Sequence, residues 1–341
     1  MHRQLMTIAQ GLASDETVPT SEMIDQAEQQ LLALSSNPES KPQHIADVAA
    51  ESYERYARLH AADDKASLFG LRTGFPKLDE ILTGLVPGQL VILAARPSMG
   101  KTALALDVAR HVAADQQKNV AIFSLEMTKQ ELMDRVIAGL LGVETWKLKK
   151  GELTEADYER MGHLFDGLKR HPLYIDDDPD TTIANLRSKA RRHQMEHGLD
   201  LLIIDYLQLI EVTDRASGEN RTQQVSHISR SLKNLARELG CPILALSQLS
   251  RSVEQRTPAI PILSDLRDSG TIEQDADIVL MLYRESVYNE ECDDPGLTDL
   301  YIRKNRSGPP GRVELHFAKE RMSFLEMRPA ASVRPLAKRE L

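Results

Sequence analysis

The segment Ala95-Arg96-Pro97-Ser98-Met99-Gly100-Lys101-Thr102 leaves an apolar run, Leu90–Ala94, and opens a stretch of helical periodicity, Lys101–Ala114. Strand, tight loop and helix N-terminus in that order make a phosphate-binding loop, because free N–H groups and the helix dipole both favour an anion. In such a loop Ser98, Met99, Gly100, Lys101, Thr102 and Ala103 surround the phosphates of ATP. Lys101 reaches the β- and γ-phosphates, and Thr102 ligates Mg²⁺. Ala95 occupies the first glycine position of the G-x-x-x-x-G-K-[ST] pattern, so the loop needs support from residues elsewhere.

From about Leu71, short apolar runs alternate with longer amphipathic stretches, which predicts an α/β fold of βα units around a mostly parallel sheet. The runs are Leu90–Ala94, Val120–Leu125, Leu173–Ile175, Leu201–Ile204, Pro242–Leu246, Ile278–Tyr283 and Leu300–Arg303. Helices between them include Lys101–Ala114, Lys129–Leu141, Thr182–His197 and Val225–Leu239. Only tight turns separate the last runs, up to Val313–Phe317, so the sheet is expected to end on an antiparallel edge. Ahead of this domain, Met23, Ile24, Ala27, Leu31 and Leu34 share a face of the predicted helix Ser21–Leu34. Breaker-rich Ser35–Pro42 and a second helix, Ile45 to about Leu59, follow it. The expected organisation is a helical N-terminal remnant and linker over 1–66, an α/β domain over 67–330, and a tail over 331–341.

No apolar run approaches the ~20 residues that cross a bilayer, and the N-terminus lacks the apolar core of a secretory signal. A cytoplasmic protein without membrane contact is expected. Cys241 and Cys292 lack metal-ligand spacing, which excludes a zinc ribbon and a disulfide scaffold. A net charge of −9 argues against a surface that coats nucleic acid throughout, leaving room for a local basic channel. An aromatic content of 4% argues against single-strand binding built mainly on stacking.

The other candidate residues stand at strand ends, which converge on the ligand crevice of a parallel sheet. Asp205 closes the run Leu201–Ile204 and would lie beside Thr102, helping to hold Mg²⁺; alone it would read as a helix cap or loop residue. Glu126 follows Ala121–Leu125, where a carboxylate can polarise the attacking water or, alternatively, complement the dipole of the next helix. Gln248 follows Pro242–Leu246 and can bond the γ-phosphate or that water. It opens the polar loop Leu249–Leu266, which reads otherwise as a solvated connection. In Arg267-Asp268-Ser269-Gly270, the arginine can pair with a phosphate and Gly270 permits close backbone approach, yet a structural salt bridge fits equally. Lys304 and Arg306 point the same way at the end of a late strand, either as a solvated face or with an arginine reaching a neighbouring subunit's nucleotide.

Together these motifs resemble the DnaB-type replicative DNA helicases, ring-forming motors with a RecA-like ATPase domain. The resemblance covers about Thr73 to Phe324. It rests on Arg96–Thr102, Phe123-Ser124-Leu125-Glu126-Met127, Ile204-Asp205-Tyr206-Leu207-Gln208-Leu209, Leu246-Ser247-Gln248-Leu249, Ser264-Asp265-Leu266-Arg267, Gly270–Asp277 and Lys304-Asn305-Arg306. Ala95 is what this family usually carries. The resemblance implies Glu126 as catalytic glutamate, Gln248 as γ-phosphate sensor, and Lys304 with Arg306 as a pair acting on the adjacent subunit's nucleotide. It implies that Arg267, Asp268 and Gly270 hold single-stranded DNA in a central channel, with Asp268 where relatives often have Glu.

By the same resemblance the chain is an ATP- and Mg²⁺-dependent helicase that moves 5′ to 3′ at replication forks, as a homo-hexameric ring served by a helicase loader. Only the last part of the family's helical N-terminal domain is matched, about Arg3–Leu12, ahead of the linker helix Ser21–Leu34. That domain docks primase, so primase binding by this chain is in question. The rival reading is a non-unwinding RecA-like ATPase, a recombinase or regulatory protein, from which Arg306 and the linker helix distinguish it. An inactive scaffold relative would not retain Lys101, Thr102, Glu126, Asp205, Gln248 and Arg306 together.

Overall fold

The computed structural model describes residues 44–61, 70–179, 181–210, 221–289 and 291–326. The chain separates into two units, 1–68 and 69–341. In the first, the described helix is α1 (Ile45–Ala61), close to its expected span, with Ile45, Tyr53 and Tyr56 exposed. The expected helix Ser21–Leu34, the segment Arg3–Leu12 and the tail 331–341 lie outside the described residues.

The second unit runs α2 (Pro76–Leu82), β1 (Leu90–Ala95), α3 (Lys101–Ala114), β2 (Val120–Ser124), α4 (Lys129–Leu141), α5 (Thr145–Lys150) and α6 (Glu155–Leu168). It continues with β3 (Leu173–Asp176), α7 (Ile183–His197), β4 (Leu201–Asp205), α8 (Arg221–Leu239), β5 (Ile243–Gln248) and α9 (Gly270–Asp275). It ends with β6 (Ile278–Tyr283), β7 (Leu297–Asn305), β8 (Gly311–Ala318) and β9 (Ser323–Glu326). The nine strands form one sheet in the order β3-β2-β4-β5-β1-β6-β7-β8-β9. From β3 to β6 neighbours are parallel; β6 to β9 pair antiparallel, as the alternation of runs and turns predicts. Among the described residues no helix is long and apolar enough to cross a membrane.

Helices α2, α5 and α6 and strand β9 are absent from the pattern-based reading. Among its residues α6 fully buries only Asp157 and α5 buries none; the apolar positions of α6, Tyr158, Met161, Leu164, Phe165 and Leu168, stand at helical spacing that the reading passed over. At four residues, β9 is too short to display a period of two.

The central strands are apolar on both sides because helices cover both faces of the sheet. In β1, Val91, Leu93 and Ala95 join the layer containing α3, while Leu90, Ile92 and Ala94 join the layer containing α7 and α8. Gly142, in the left-handed region at φ +71, ends α4; its N-terminus is closed by a capping box of Thr128 and Glu131.

Strand β9 reaches α3 through a buried carboxylate. Asp107 accepts the Ser323 hydroxyl at 2.8 Å and the Phe324 N–H at 2.7 Å. Burial raises its pKa, and the bonds from Phe324 and Ser323 oppose that rise. This anchor presses Phe324 against the phosphate loop, so a sheet edge becomes part of the site's support. Asp107→Leu leaves both donors buried without an acceptor and should lower the unfolding free energy by about 1–3 kcal/mol. Asp107→Asn, which keeps an acceptor, should cost less; urea denaturation of both variants distinguishes this anchor from a dispensable contact.

Candidate nucleotide site

The loop after β1 turns through two left-handed residues, Ser98 at φ +67 and Gly100 at φ +98. A side chain at Gly100 would be strained, and its Cβ would come within 2.8 Å of the Phe324 ring. Gly100 is also the N-cap of α3 and offers no side-chain cap. The first N–H groups of α3, which have no partner within the helix, therefore face an anion site.

Sheet register brings the other residues to this loop. Ala95 pairs with Gln248 and Ser124 with Asp205, while Ile204 pairs with Ala245, so β1 and β5 run about two residues past the ends of β2 and β4 on the same side of the sheet. They open on a cleft of about 1130 Å³ lined by Lys101, Thr102, Glu126, Gln248 and Arg284. That volume accommodates a nucleoside triphosphate.

Asp205 is 1% exposed. Its Oδ2 accepts the Thr102 hydroxyl at 2.6 Å, and its Oδ1 lies 3.4 Å from Lys101 Nζ. Lys101 in turn sits 4.3 Å from the centroid of the Tyr206 ring. Asp205 Oδ1 is buried yet accepts no hydrogen bond among the described residues. A hydroxyl and a carboxylate with a spare buried oxygen are hard donors that fit Mg²⁺, which binds few protein groups and keeps several waters. No group of three or more His, Cys, Asp or Glu that could hold a metal occurs among the described residues.

Glu126 lies on the turn after β2, exposed to the cleft. Ser124 fixes that turn, its hydroxyl donating to the Met127 carbonyl at 2.6 Å and accepting the Met127 N–H at 3.2 Å. Since Thr128 and Glu131 cap α4, Glu126 is free of that duty. Gln248 is likewise exposed, and its peptide is held by Gln208. The Gln208 amide donates to the Ser247 hydroxyl at 2.8 Å and the Gln248 carbonyl at 3.2 Å, and its oxygen accepts the Gln248 N–H at 3.3 Å. Arg96 ties the phosphate loop to the segment after β5, donating to Glu254 at 2.7 Å and to the Leu249 carbonyl at 2.8 Å.

Residues 70–326 match the family described as DnaB-like helicase C terminal domain. The chain belongs to the DnaB-like helicases. It is 42% identical to the replicative DNA helicase DnaB of Geobacillus stearothermophilus over 329 residues, 95% of this chain and 72% of that protein. It is 41% identical to the replicative DNA helicase DnaC of Bacillus subtilis (strain 168) over 327 residues, 95% of this chain and 71% of that protein. Among solved structures it is similar to one described as a DnaB-like replicative helicase and its interactions with primase, with TM-score 0.81 and 34% identity, covering 96% of this chain and 76% of that one. A second, described as an ATPase domain, gives TM-score 0.78 at 36% identity, covering 84% of this chain and 100% of that one.

In this DnaB-like chain Lys304 and Arg306 do not line the cleft that holds Lys101 and Glu126. Both turn toward the C-terminal end of α9. Lys304 donates to the carbonyls of Glu273, Gln274 at 3.3 Å and Ala276 at 2.7 Å. All three ammonium donors are thus engaged within the chain, and action on a neighbour's phosphate would require exchanging these carbonyls. Arg306 donates to the Gln274 carbonyl at 2.6 Å and lies 3.4 Å from Asp277, with 48% of its side chain exposed.

The run Arg267-Asp268-Ser269-Gly270 forms the end of a 3₁₀ segment, Leu263–Ser269, and the first residue of α9. The side chains of Arg267 and Asp268 lie outside the described part of the structure. Just before them, Arg256 forms a two-pronged pair with the buried Asp265, one contact at 2.9 Å, so the loop Leu249–Leu266 is pinned rather than merely solvated. Sequence reading quoted Gln208 within a motif but gave it no role, and it passed over Arg284 and the β8–β9 turn, where Lys319, Glu320 and Met322 also line the cleft. For Arg284 the signal was present: it is the first polar residue after a parallel strand, the same position that singled out Asp205 and Gln248.

Gly100→Ala places a side chain at φ +98 and against Phe324. ATP affinity should fall by about tenfold or more, since a non-glycine residue in this region costs roughly 1–2 kcal/mol before the clash is counted. Titration with a fluorescent ATP analogue, alongside circular dichroism as a folding control, checks this; wild-type affinity would contradict the assigned loop geometry.

Proposed function

We propose that this chain is an ATP-driven replicative DNA helicase, translocating on single-stranded DNA as a homo-hexameric ring. The observation that carries the reading is the convergence of Lys101, Thr102 and Asp205 at a buried carboxylate, with Glu126 and Gln248 on the same cleft. Lys101 holds the β- and γ-phosphates against the N–H groups of α3. Thr102 and Asp205 would hold Mg²⁺, which when bound neutralises charge on the phosphate oxygens. Glu126 orients the attacking water and accepts its proton. The Gln248 side chain reads the presence of the γ-phosphate. Its peptide continues into the loop Leu249–Leu266 and on to Arg267, Asp268 and Gly270, which hold the DNA backbone.

Arg306 acts on the nucleotide of the neighbouring subunit, a role supported by its half-exposed side chain and by its position away from the chain's own cleft. Lys304 joins it at that interface or holds α9 and thereby seats it. Movement 5′ to 3′, a loader and a cytoplasmic setting are part of this proposal, and the kinship with replicative helicases supports them. The interaction with primase belongs to the solved relative and is not carried to this chain. Once family membership is established, nothing in the structure favours the rival reading of a non-unwinding RecA-like ATPase; a strand-displacement assay tests it directly.

Two measurements follow. Lys101→Ala should abolish turnover and weaken ATP binding, whereas Glu126→Gln should bind ATP and stall, because only the second leaves the phosphate cradle intact. Steady-state hydrolysis and nucleotide affinity separate them, and near-normal turnover by Glu126→Gln would remove that residue from the mechanism. For the ring, Arg306→Ala alone should lose roughly 10³- to 10⁵-fold in rate. Mixing it with Lys101→Ala should restore single-turnover hydrolysis, since some interfaces then combine an intact loop with an intact arginine. Background activity after label-verified subunit exchange would mean that Arg306 acts within its own chain.

A further inference from the structure

Among the described residues Arg284 is the single Lys or Arg in the buried set, at 9% exposure. It follows β6, whose parallel pairing with β1 carries its C-terminal end to the phosphate loop. Its Nη2 donates to the Ser98 carbonyl at 2.5 Å, and its guanidinium carbon lies 4.3 Å from the centroid of the Phe317 ring. Its Nη1 is buried and has no hydrogen-bond partner among the described residues. Burial depresses its pKa. A cation desolvated in this way, with no carboxylate bonded to it among the described residues, costs stability. What it holds is a strained residue, because Ser98 is a non-glycine residue at φ +67.

The geometry of a peptide plane says what this contact achieves. Its C=O and N–H point in opposite directions. A Ser98 carbonyl drawn toward Arg284 leaves the Met99 N–H turned the other way, where it donates to the Arg96 carbonyl at 3.4 Å, so the Arg284 bond fixes the orientation of this peptide within the turn. The brace extends further: Phe317 packs on Phe324 at 4.9 Å between ring centroids, and Phe324 packs beneath Gly100.

We propose that Arg284 is a positioning residue of the phosphate loop, holding the Ser98 carbonyl in this orientation so that the loop is preformed for a triphosphate. The proposal rests on the nucleotide reading above and adds to it the residue just after β6, which lies at the cleft wall and acts on the ligand through the loop carbonyl it holds. Because it works through the loop, it affects any ligand bearing the phosphate chain, with or without a base and ribose.

The test uses the full chain with Arg284→Met and Arg284→Lys, measuring affinity for ATP and for inorganic tripolyphosphate, the kinetics of ATP hydrolysis, and the thermal midpoint. Arg284→Met keeps an apolar stem on Phe317 but loses the donor. Its affinities for ATP and tripolyphosphate should fall by the same factor, about tenfold or more for a charge-assisted bond. The rate at saturating ATP should fall less than kcat/KM. Arg284→Lys, which can still donate to the Ser98 carbonyl, should recover part of the loss for both ligands.

A lower thermal midpoint with unchanged affinity for both ligands would reduce Arg284 to a structural residue and overturn the proposal. A loss confined to ATP would also overturn it, by showing contact with the base or ribose. Should Arg284→Met fail to fold, Phe317→Leu removes the ring under the guanidinium and should weaken both ligands equally, by a smaller factor; unchanged affinities there would again overturn the brace. Failure of the nucleotide reading is separate, and would show as Lys101→Ala binding ATP normally whatever Arg284 does.

Discussion

The contact between Thr102 and Asp205 ties the first residues of α3 to the end of β4 across the intervening end of β5. It can form only if β1, β5 and β4 are parallel and in the observed register. A slip of one residue would turn Asp205 to the other face of the sheet. The same register carries Ser124 and Glu126 beside Asp205 and brings Gln248 level with Ala95. The cleft is thus a consequence of strand alignment, and each functional side chain inherits its place from a buried apolar ladder.

Around that contact the protein keeps polar groups in places where apolar ones would be more stable. Among the described residues Asp205 has an oxygen that accepts no hydrogen bond, Arg284 is a buried cation with one Nη unpartnered, and Ser98 sits in a left-handed conformation. Concentration of such costs at one cleft is the physical mark of a site selected for binding. The remaining sheet supports it. The antiparallel edge that begins at β7 supplies Phe317 and Phe324 as backing for the loop, and Asp107 locks that edge to α3.

The arrangement also links the nucleotide cleft to the segment proposed to hold DNA. Gln208, three residues beyond Asp205, grips the peptide of Gln248 at both its N–H and its C=O. Arg96 reaches from the phosphate loop to Leu249 and Glu254. The segment leading to Arg267 is therefore attached at two points, to the turn after β4 and to the loop after β1, by hydrogen bonds that do not run through the core.

Local pattern settled much of this protein. Short apolar strand runs of three to six residues, the helix-opening Gly100-Lys101-Thr102, and polar residues directly after strands were legible because burial and backbone geometry restrict residue type at those positions. Lys101, Thr102, Glu126, Asp205 and Gln248 could be placed at one crevice from the strand order that βα units impose. The tertiary structure alone decided the rest. Helix α5, six residues long and with none buried, is too short to show a helical period. The Arg284 bond to Ser98 spans 186 positions, and the Ser323 bond to Asp107 spans 216. No local pattern encodes such pairs, because each partner is an ordinary residue until the sheet brings the two together. Lys304 makes the same point in reverse: its strand position was readable, but its engagement with the carbonyls of α9 depends on where that helix ends in space.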